Sequence, residues 1–169
     1  MQVLEVLGDL FRHMEWADAS VWKSVRSLTQ DDDPALRAKL QHLHAVQRSF
    51  FSIWQQRAPD VADLFADRDF AALRQWAHDY HQEVRTFVEG VKAQELDSLT
   101  VLPWSRQVLA RFALPEIHPT TLGQTMFQVA MHSTYHRGQI NTRIRELGVD
   151  PPLVDYIAWI WFGKPDAEW

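Results

Sequence analysis

Apolar residues recur along this chain at the spacing of an α-helix in four long segments. These segments cover residues 3–28, 34–57, 69–91 and 121–147, and turn-forming residues separate them. Residues three and four positions apart lie on one face of a helix, so each segment presents one apolar stripe. Four such stripes can bury one another in a common core.

Helix-starting and helix-ending residues stand at the boundaries of these segments. Asp33 followed by Pro34 is typical of a helix N-terminus, and Asp69 is a candidate cap for the third helix. Thr121 and Gln124 have the spacing of a capping box, and the sequence GVDPP ends the fourth segment. The pattern predicts one all-α domain over residues 1–169, a four-helix bundle with a short C-terminal helix.

Two regions outside the long helices carry separate expectations. Three prolines interrupt residues 96–119, where the stretches LTVLPW and RQVLARFALP are compatible with a short hairpin. The apolar C-terminal stretch LVDYIAWIWFG contains Trp159 and Trp161, which we expect to cover the core or a partner chain.

Composition excludes several function classes. The 169 residues carry a net charge of −5 and contain no basic run, so we expect no nucleic-acid partner. No segment approaches the ~20 apolar residues that are needed to cross a membrane. The acidic residues Glu5 and Asp9 interrupt the N-terminal region, whereas a signal peptide has a continuous apolar stretch there. We therefore expect a cytoplasmic protein with no membrane partner. Without cysteine, any metal must be held by histidine, carboxylate or water.

Two of the eight histidines, His132 and His136, lie four residues apart on the fourth helix. This spacing places both imidazoles on one helix face, at the polar edge of the apolar stripe, where they can converge on one ion. A bare pair at this spacing more often consists of packed or surface histidines than of metal ligands. A third ligand from the second helix would favour a metal site.

The second helix offers His42 and His44, on different faces. His42 shares its side with small and apolar residues such as Ile53, whereas His44 shares its side with Arg37 and Arg48. We therefore predict that His42 points inward and that His44 is exposed to solvent. Among the other histidines, we predict His78 and His81 at the surface, His13 as a buried polar group, and His118 in a loop without an assigned role.

Two stretches resemble known signatures of one protein family. HSTYHRGQINTRIRELG followed by PPLVDYIAW resembles the C-terminal signature of the DinB (DinB/YfiT-like) family of metalloenzymes. HLHAVQRSFF resembles its first-histidine motif, in which Val or Ala stands four residues after the histidine, followed by an acid or amide and then a bulky aromatic. Val46, Gln47 and Phe50 fit that order from His42 and not from His44.

The first helix also resembles the family pattern, with two differences. In HMEWADASVW, His13 and Asp18 replace the more usual aromatic residue and asparagine. The resemblance implies a bundle with up-down-down-up connection, often a homodimer. It also implies a divalent metal (Zn, Ni or Fe) held by three histidines, carried here by His42, His132 and His136.

Characterised members of the family include S-transferases and isomerases that use low-molecular-weight thiols. Three neutral imidazoles leave open positions on the metal, which can activate water or bind a substrate thiol. One hypothesis is therefore a metal-dependent enzyme, of thiol S-transferase or hydrolase type, acting on a small molecule. The alternative is a non-catalytic stress-response or interaction bundle stabilised by the metal. In a third reading, the histidines only satisfy one another. No catalytic residue is assigned.

Overall fold

The computed structural model describes residues 2–28 and 32–169. The elements are α1 (Val3–Arg26), α2 (Pro34–Trp54), α3 (Val61–Leu64), α4 (Phe70–Gly90), a 3₁₀ helix (Ala93–Asp97), β1 (Leu99–Thr100), α5 (Ser105–Phe112), β2 (Thr120–Thr121), α6 (Leu122–Glu146) and α7 (Tyr156–Trp161). The all-α prediction is confirmed. Within the described ranges, no helix combines the length and the apolar character needed to cross a membrane.

Three of the long helices begin at the caps predicted from the sequence. Asp33, Asp69 and Thr121 each accept a hydrogen bond from the backbone N–H three residues later, at 2.7, 2.8 and 3.3 Å. The side chain of Gln124 accepts in return from the backbone N–H of Thr121 at 2.9 Å, which completes the capping box. These bonds satisfy N–H groups that have no partner within the helix, and so fix the helix starts.

The core consists of two apolar layers, one toward each end of the bundle. One layer joins the second halves of α1 and α6 to the first halves of α2 and α4, through Val21, Trp22, Val25, Leu36, Leu40, Leu43, Leu73, Trp76, Ile140 and Ile144. The other layer joins the opposite halves, through Leu7, Phe11, Met14, Phe50, Phe51, Trp54, Tyr80, Val84, Met126 and Val129. Helices α1 and α6 therefore run one way and α2 and α4 the other, in the order up, down, down, up.

The connection between α4 and α6 differs in part from the predicted hairpin. Strands β1 and β2 do pair antiparallel, with Leu99 opposite Thr121 and Thr100 opposite Thr120. The stretch RQVLARF, however, lies in α5 and not in a strand. This segment is rich in strong helix formers, namely Arg, Gln, Leu and Ala. It has no fully buried residue whose packing would favour a strand, so the local helix preference decides its structure.

The C-terminal helix α7 packs on α1 through one of the two tryptophans singled out in the sequence. Trp159 is 1% exposed and its indole N–H donates to the carbonyl of Pro165, whereas Trp161 is 75% exposed. His13 is buried beside Trp159 and its Nε2 donates to the Val154 carbonyl at 2.9 Å. Trp159 therefore covers the core, and the prediction of His13 as a buried polar group is confirmed.

Candidate metal centre

Three histidines meet at the seam between α2 and α6. His42 lies near the middle of α2, and His132 and His136 occupy successive turns of α6. The ring centroids of His132 and His136 are 4.3 Å apart, and His42 lies 4.5 Å from His136 and 6.0 Å from His132. One nitrogen from each ring lies within 4.8 Å of the other two. Since Zn–N bonds are about 2.0–2.1 Å, small side-chain rotations would bring all three nitrogens onto one ion.

The hydrogen bonds of these rings leave nitrogens free for a ligand. His136 donates from Nδ1 to Oε1 of Gln139, one turn further along α6, at 2.9 Å, which leaves Nε2 available. Metal-bound histidines typically donate their second ring N–H in this way. His132 Nε2 is buried and has no hydrogen-bond partner within the described ranges. A buried polar atom without a partner is costly, so the donor set fits a metal ion.

Two of the three imidazoles have a lowered pKa. Burial is the main cause for both His42 and His132, because it disfavours the charged ring. Repulsion from His136 lowers the pKa of both rings further, and His42 adds to the effect on His132. The neutral imidazole is the form that binds metal, so these two rings favour that form near neutral pH.

The centre is open to solvent on one side. His42 is exposed and the other two histidines are half-buried. Met131 and Tyr135 flank the centre on α6 and are 69% and 65% exposed, and the Tyr135 ring lies 5.1 Å from that of His136. A small molecule can therefore approach the three histidines from solvent.

A match to a known protein family covers nearly the whole chain. The model of the DinB family matches residues 1–167 of the chain. The chain belongs to the DinB family. No curated protein matches it significantly. The resemblance expected from the two histidine motifs therefore extends over nearly the whole length of this DinB protein.

The structure overturns the prediction for His44. This side chain is 0% exposed, whereas His42, predicted to point inward, is exposed. His44 donates from Nδ1 to Gln47 at 2.8 Å and accepts at Nε2 from the Trp22 indole at 3.1 Å. Helix α2 packs against both α4 and α6, so its buried sector is wider than one apolar stripe, and Trp22 reaches into it from α1. In this DinB chain, the spacing of the family motif identifies His42 as the histidine that meets His132. The pattern of apolar residues along α2 does not predict which of its two histidines is buried.

The prediction of His81 at the surface is also wrong. His81 is 1% exposed, and its Nε2 donates to Oδ2 of Asp18 at 2.9 Å. His78 is half-buried, with its ring stacked 5.2 Å from that of Trp169. Polar neighbours in sequence suggested a solvated face, but the partner of His81 lies 63 residues away on α1.

Asp18 organises a buried polar layer between the two apolar layers of this DinB bundle. Its Oδ1 accepts from Arg137 at 2.8 Å, and its Oδ2 accepts from His81 at 2.9 Å and from Gln47 at 2.8 Å. Gln47 also donates to Ser133 at 3.1 Å. All four long helices contribute to this layer, and sequence analysis did not identify it. The signal that could have revealed it is a charged residue on the apolar face of a helix, such as Asp18, because a buried charge requires a partner.

The polar layer has two consequences for the site. Burial alone would raise the pKa of Asp18, but the Arg137 guanidinium and the His81 hydrogen bond outweigh it and hold that pKa far below its usual range. A carboxylate here also neutralises Arg137, which the asparagine more usual in the family cannot do. Ser133 and Arg137 directly follow His132 and His136 in α6, so their bonds fix the rotation of α6 that turns the two histidines toward α2.

Proposed function

We propose that this DinB-family protein is a metal-dependent enzyme that holds one divalent ion, Zn, Ni or Fe, through His42, His132 and His136. The observation that carries the proposal is the convergence of one nitrogen from each ring within 4.8 Å, together with the buried, unpartnered Nε2 of His132. When bound, the ion would supply a Lewis acid able to activate water or a thiol.

The chain's own residues support binding and orientation at this centre. Gln139 holds the His136 ring through Nδ1, so that the opposite nitrogen faces the cluster. Tyr135 and Met131 offer exposed aromatic and thioether surface beside the ligands, where the apolar part of a small substrate can pack. Because the chain has no cysteine, a thiol reaction requires a thiol cosubstrate. A thiol S-transferase or a hydrolase fits these requirements.

The exposure of His42 supports an enzyme over a purely structural metal. Structural sites are closed by four protein ligands, whereas catalytic sites keep a position open for substrate or water. Three histidines make up the cluster, and it opens to solvent. The four helices are already joined by the buried contacts of Asp18, so their packing does not depend on an ion at the α2–α6 seam.

A cobalt-substituted protein tests the proposal. Titration with bacillithiol, mycothiol or glutathione is expected to change the visible spectrum of bound Co²⁺ for at least one thiol, or else an esterase or amidase panel is expected to show turnover. The His132→Ala variant is the control and should show neither response. Stoichiometric metal with no spectral change for any thiol and no turnover would replace this proposal with the non-catalytic, metal-stabilised bundle.

A further inference from the structure

A cavity of about 550 Å³ lies between α1 and α4. The four long helices pack in a ring, in the order α1, α6, α2, α4. The α1–α4 seam is therefore opposite the α2–α6 seam, which carries the three histidines. The inner wall of the cavity is apolar and includes Phe11 and Val84, which are 4% and 2% exposed, together with the half-buried Val88. The cavity is therefore separate from the candidate metal centre.

Gly8 leaves one wall of this cavity without a side chain. A Cβ atom built at Gly8 would have no other atom within 4 Å, so close packing does not require glycine at this position. Glycine within a helix is also less stable than alanine. Gly8 therefore leaves open space beside the cavity at a cost in helix stability. This is expected where a helix makes room for a ligand.

The basic side chains around the cavity are already paired. Lys164 and Arg12 both bind the Asp9 carboxylate, the former at 2.6 Å, and Arg85 binds Glu15 at 2.5 Å. Each of these three cations is therefore ion-paired within the chain, although Arg12 and Lys164 share the single carboxylate of Asp9.

Two further acidic side chains on the rim form no close ion pair within the described residues. Glu5, in the first turn of α1, accepts the backbone N–H of Gln2, and Glu89, in the last turn of α4, lies one turn from Arg85 and helps to raise its pKa. Both side chains are exposed, and neither forms an ion pair within the described residues. Because α1 and α4 run in opposite directions, both carboxylates lie toward the same end of the cavity. The cavity is lined by four carboxylates, those of Glu5, Asp9, Glu15 and Glu89, and by three cations, so its net charge is negative.

His81 places a buried ring nitrogen without a partner on the cavity wall, among the described residues. Its Nε2 donates to Asp18, which leaves Nδ1 as the second polar atom of the ring. Nδ1 is buried and has no hydrogen-bond partner in the described part of the chain. The exposed carboxylates of Glu5 and Glu89 accept hydrogen bonds and do not donate them, so the rim favours a ligand that donates hydrogen bonds.

We propose that the α1–α4 cavity is a binding site for a small organic amine with an apolar body. The ammonium group lies toward Glu5 and Glu89, and the apolar body packs against Phe11, Val84 and Val88. An amine supplies both the positive charge and the donors that the free groups of this cavity lack. The site does not depend on metal and is independent of the function proposed above.

Binding is tested by titrating the isotope-labelled full-length protein with 2-phenylethylamine and following backbone amide shifts. We expect saturable shifts concentrated at residues 8–12 and 84–89. The neutral analogue 2-phenylethanol and the anionic analogue 3-phenylpropionate should bind roughly three- to tenfold more weakly, because each lacks the ammonium charge. Equal binding of the three compounds, absence of binding by the amine, or shifts located elsewhere would overturn the proposal.

Matched variants separate the cavity from nonspecific effects. Gly8→Leu fills the open space and should abolish saturable binding, whereas Gly8→Ala adds one carbon and should reduce it much less. Glu89→Gln should weaken amine binding, while Glu83→Gln, on the same helix but paired with Arg48, should not. His132→Ala should bind the amine as the wild type does. Unchanged amine binding in Gly8→Leu would contradict the site.

Discussion

Acid should destabilise this protein through one buried histidine, His44. Burial lowers the pKa of His44 from 6.5 to about 4, because the desolvated ring resists protonation. The neutral ring also accepts the Trp22 indole N–H at Nε2, and protonation would remove that acceptor. The His44→Gln substitution replaces the titrating ring with an amide that does not titrate.

The magnitude follows from the shift in pKa. Above pH 6.5, His44 is neutral in both the folded and the unfolded chain, so it contributes no pH dependence. As pH falls below that value, the unfolded chain binds a proton that the folded chain resists, and the free energy of unfolding decreases until about pH 4. Between about pH 7 and about pH 4.5 this one residue should remove about 2 kcal/mol of stability.

Urea unfolding of the metal-free protein at these two pH values measures the effect. The wild type should lose about 2 kcal/mol more than His44→Gln between them, because every other titrating group is common to both proteins. As a second measurement, the imidazole of His44 in the folded wild type should titrate well below pH 6.5 by NMR. Equal losses in the two proteins, or titration of the ring near its ordinary pKa, would refute the reasoning.

Three further predictions concern the polar layer, the metal centre and assembly. Asp18→Ala leaves the buried Arg137 charge without its partner and should cost about 3–5 kcal/mol in urea unfolding, and a loss below about 1 kcal/mol would contradict the role of the layer. Gln139→Ala frees the His136 ring and should weaken metal affinity roughly 10–100-fold in a chelator competition, with the stability of the metal-free protein unchanged; equal affinity would show that Gln139 does not orient that ring. Sedimentation velocity should show a homodimer, and a monomer across the concentration range would exclude that assembly.

Local sequence signals predicted the helices and most of their starts. Asp33, Asp69 and Thr121 cap the helices that they were expected to cap, because a cap involves only residues within four positions of one another. The sequence of α5 is compatible with a short hairpin as well as with a helix, since short stretches with apolar residues fit both periods.

Contacts between distant helices limited the prediction of the site. His132 and His136 are neighbours by helical spacing alone, so their pairing was visible in the sequence. The burial of His44 and His81 was not, because it depends on Trp22 and Asp18, which lie 22 and 63 residues away along the chain. The assumption of one apolar stripe fails where a helix packs against two other long helices at once.

The count of metal ions per chain tests the central claim most directly. Purified protein analysed by elemental mass spectrometry should contain about one divalent ion per chain. His42→Ala and His132→Ala should each lose it, while the control His118→Ala, whose side chain is 87% exposed and outside the cluster, should retain it. Full metal content in a His42→Ala, His132→Ala double variant would contradict the three-histidine centre.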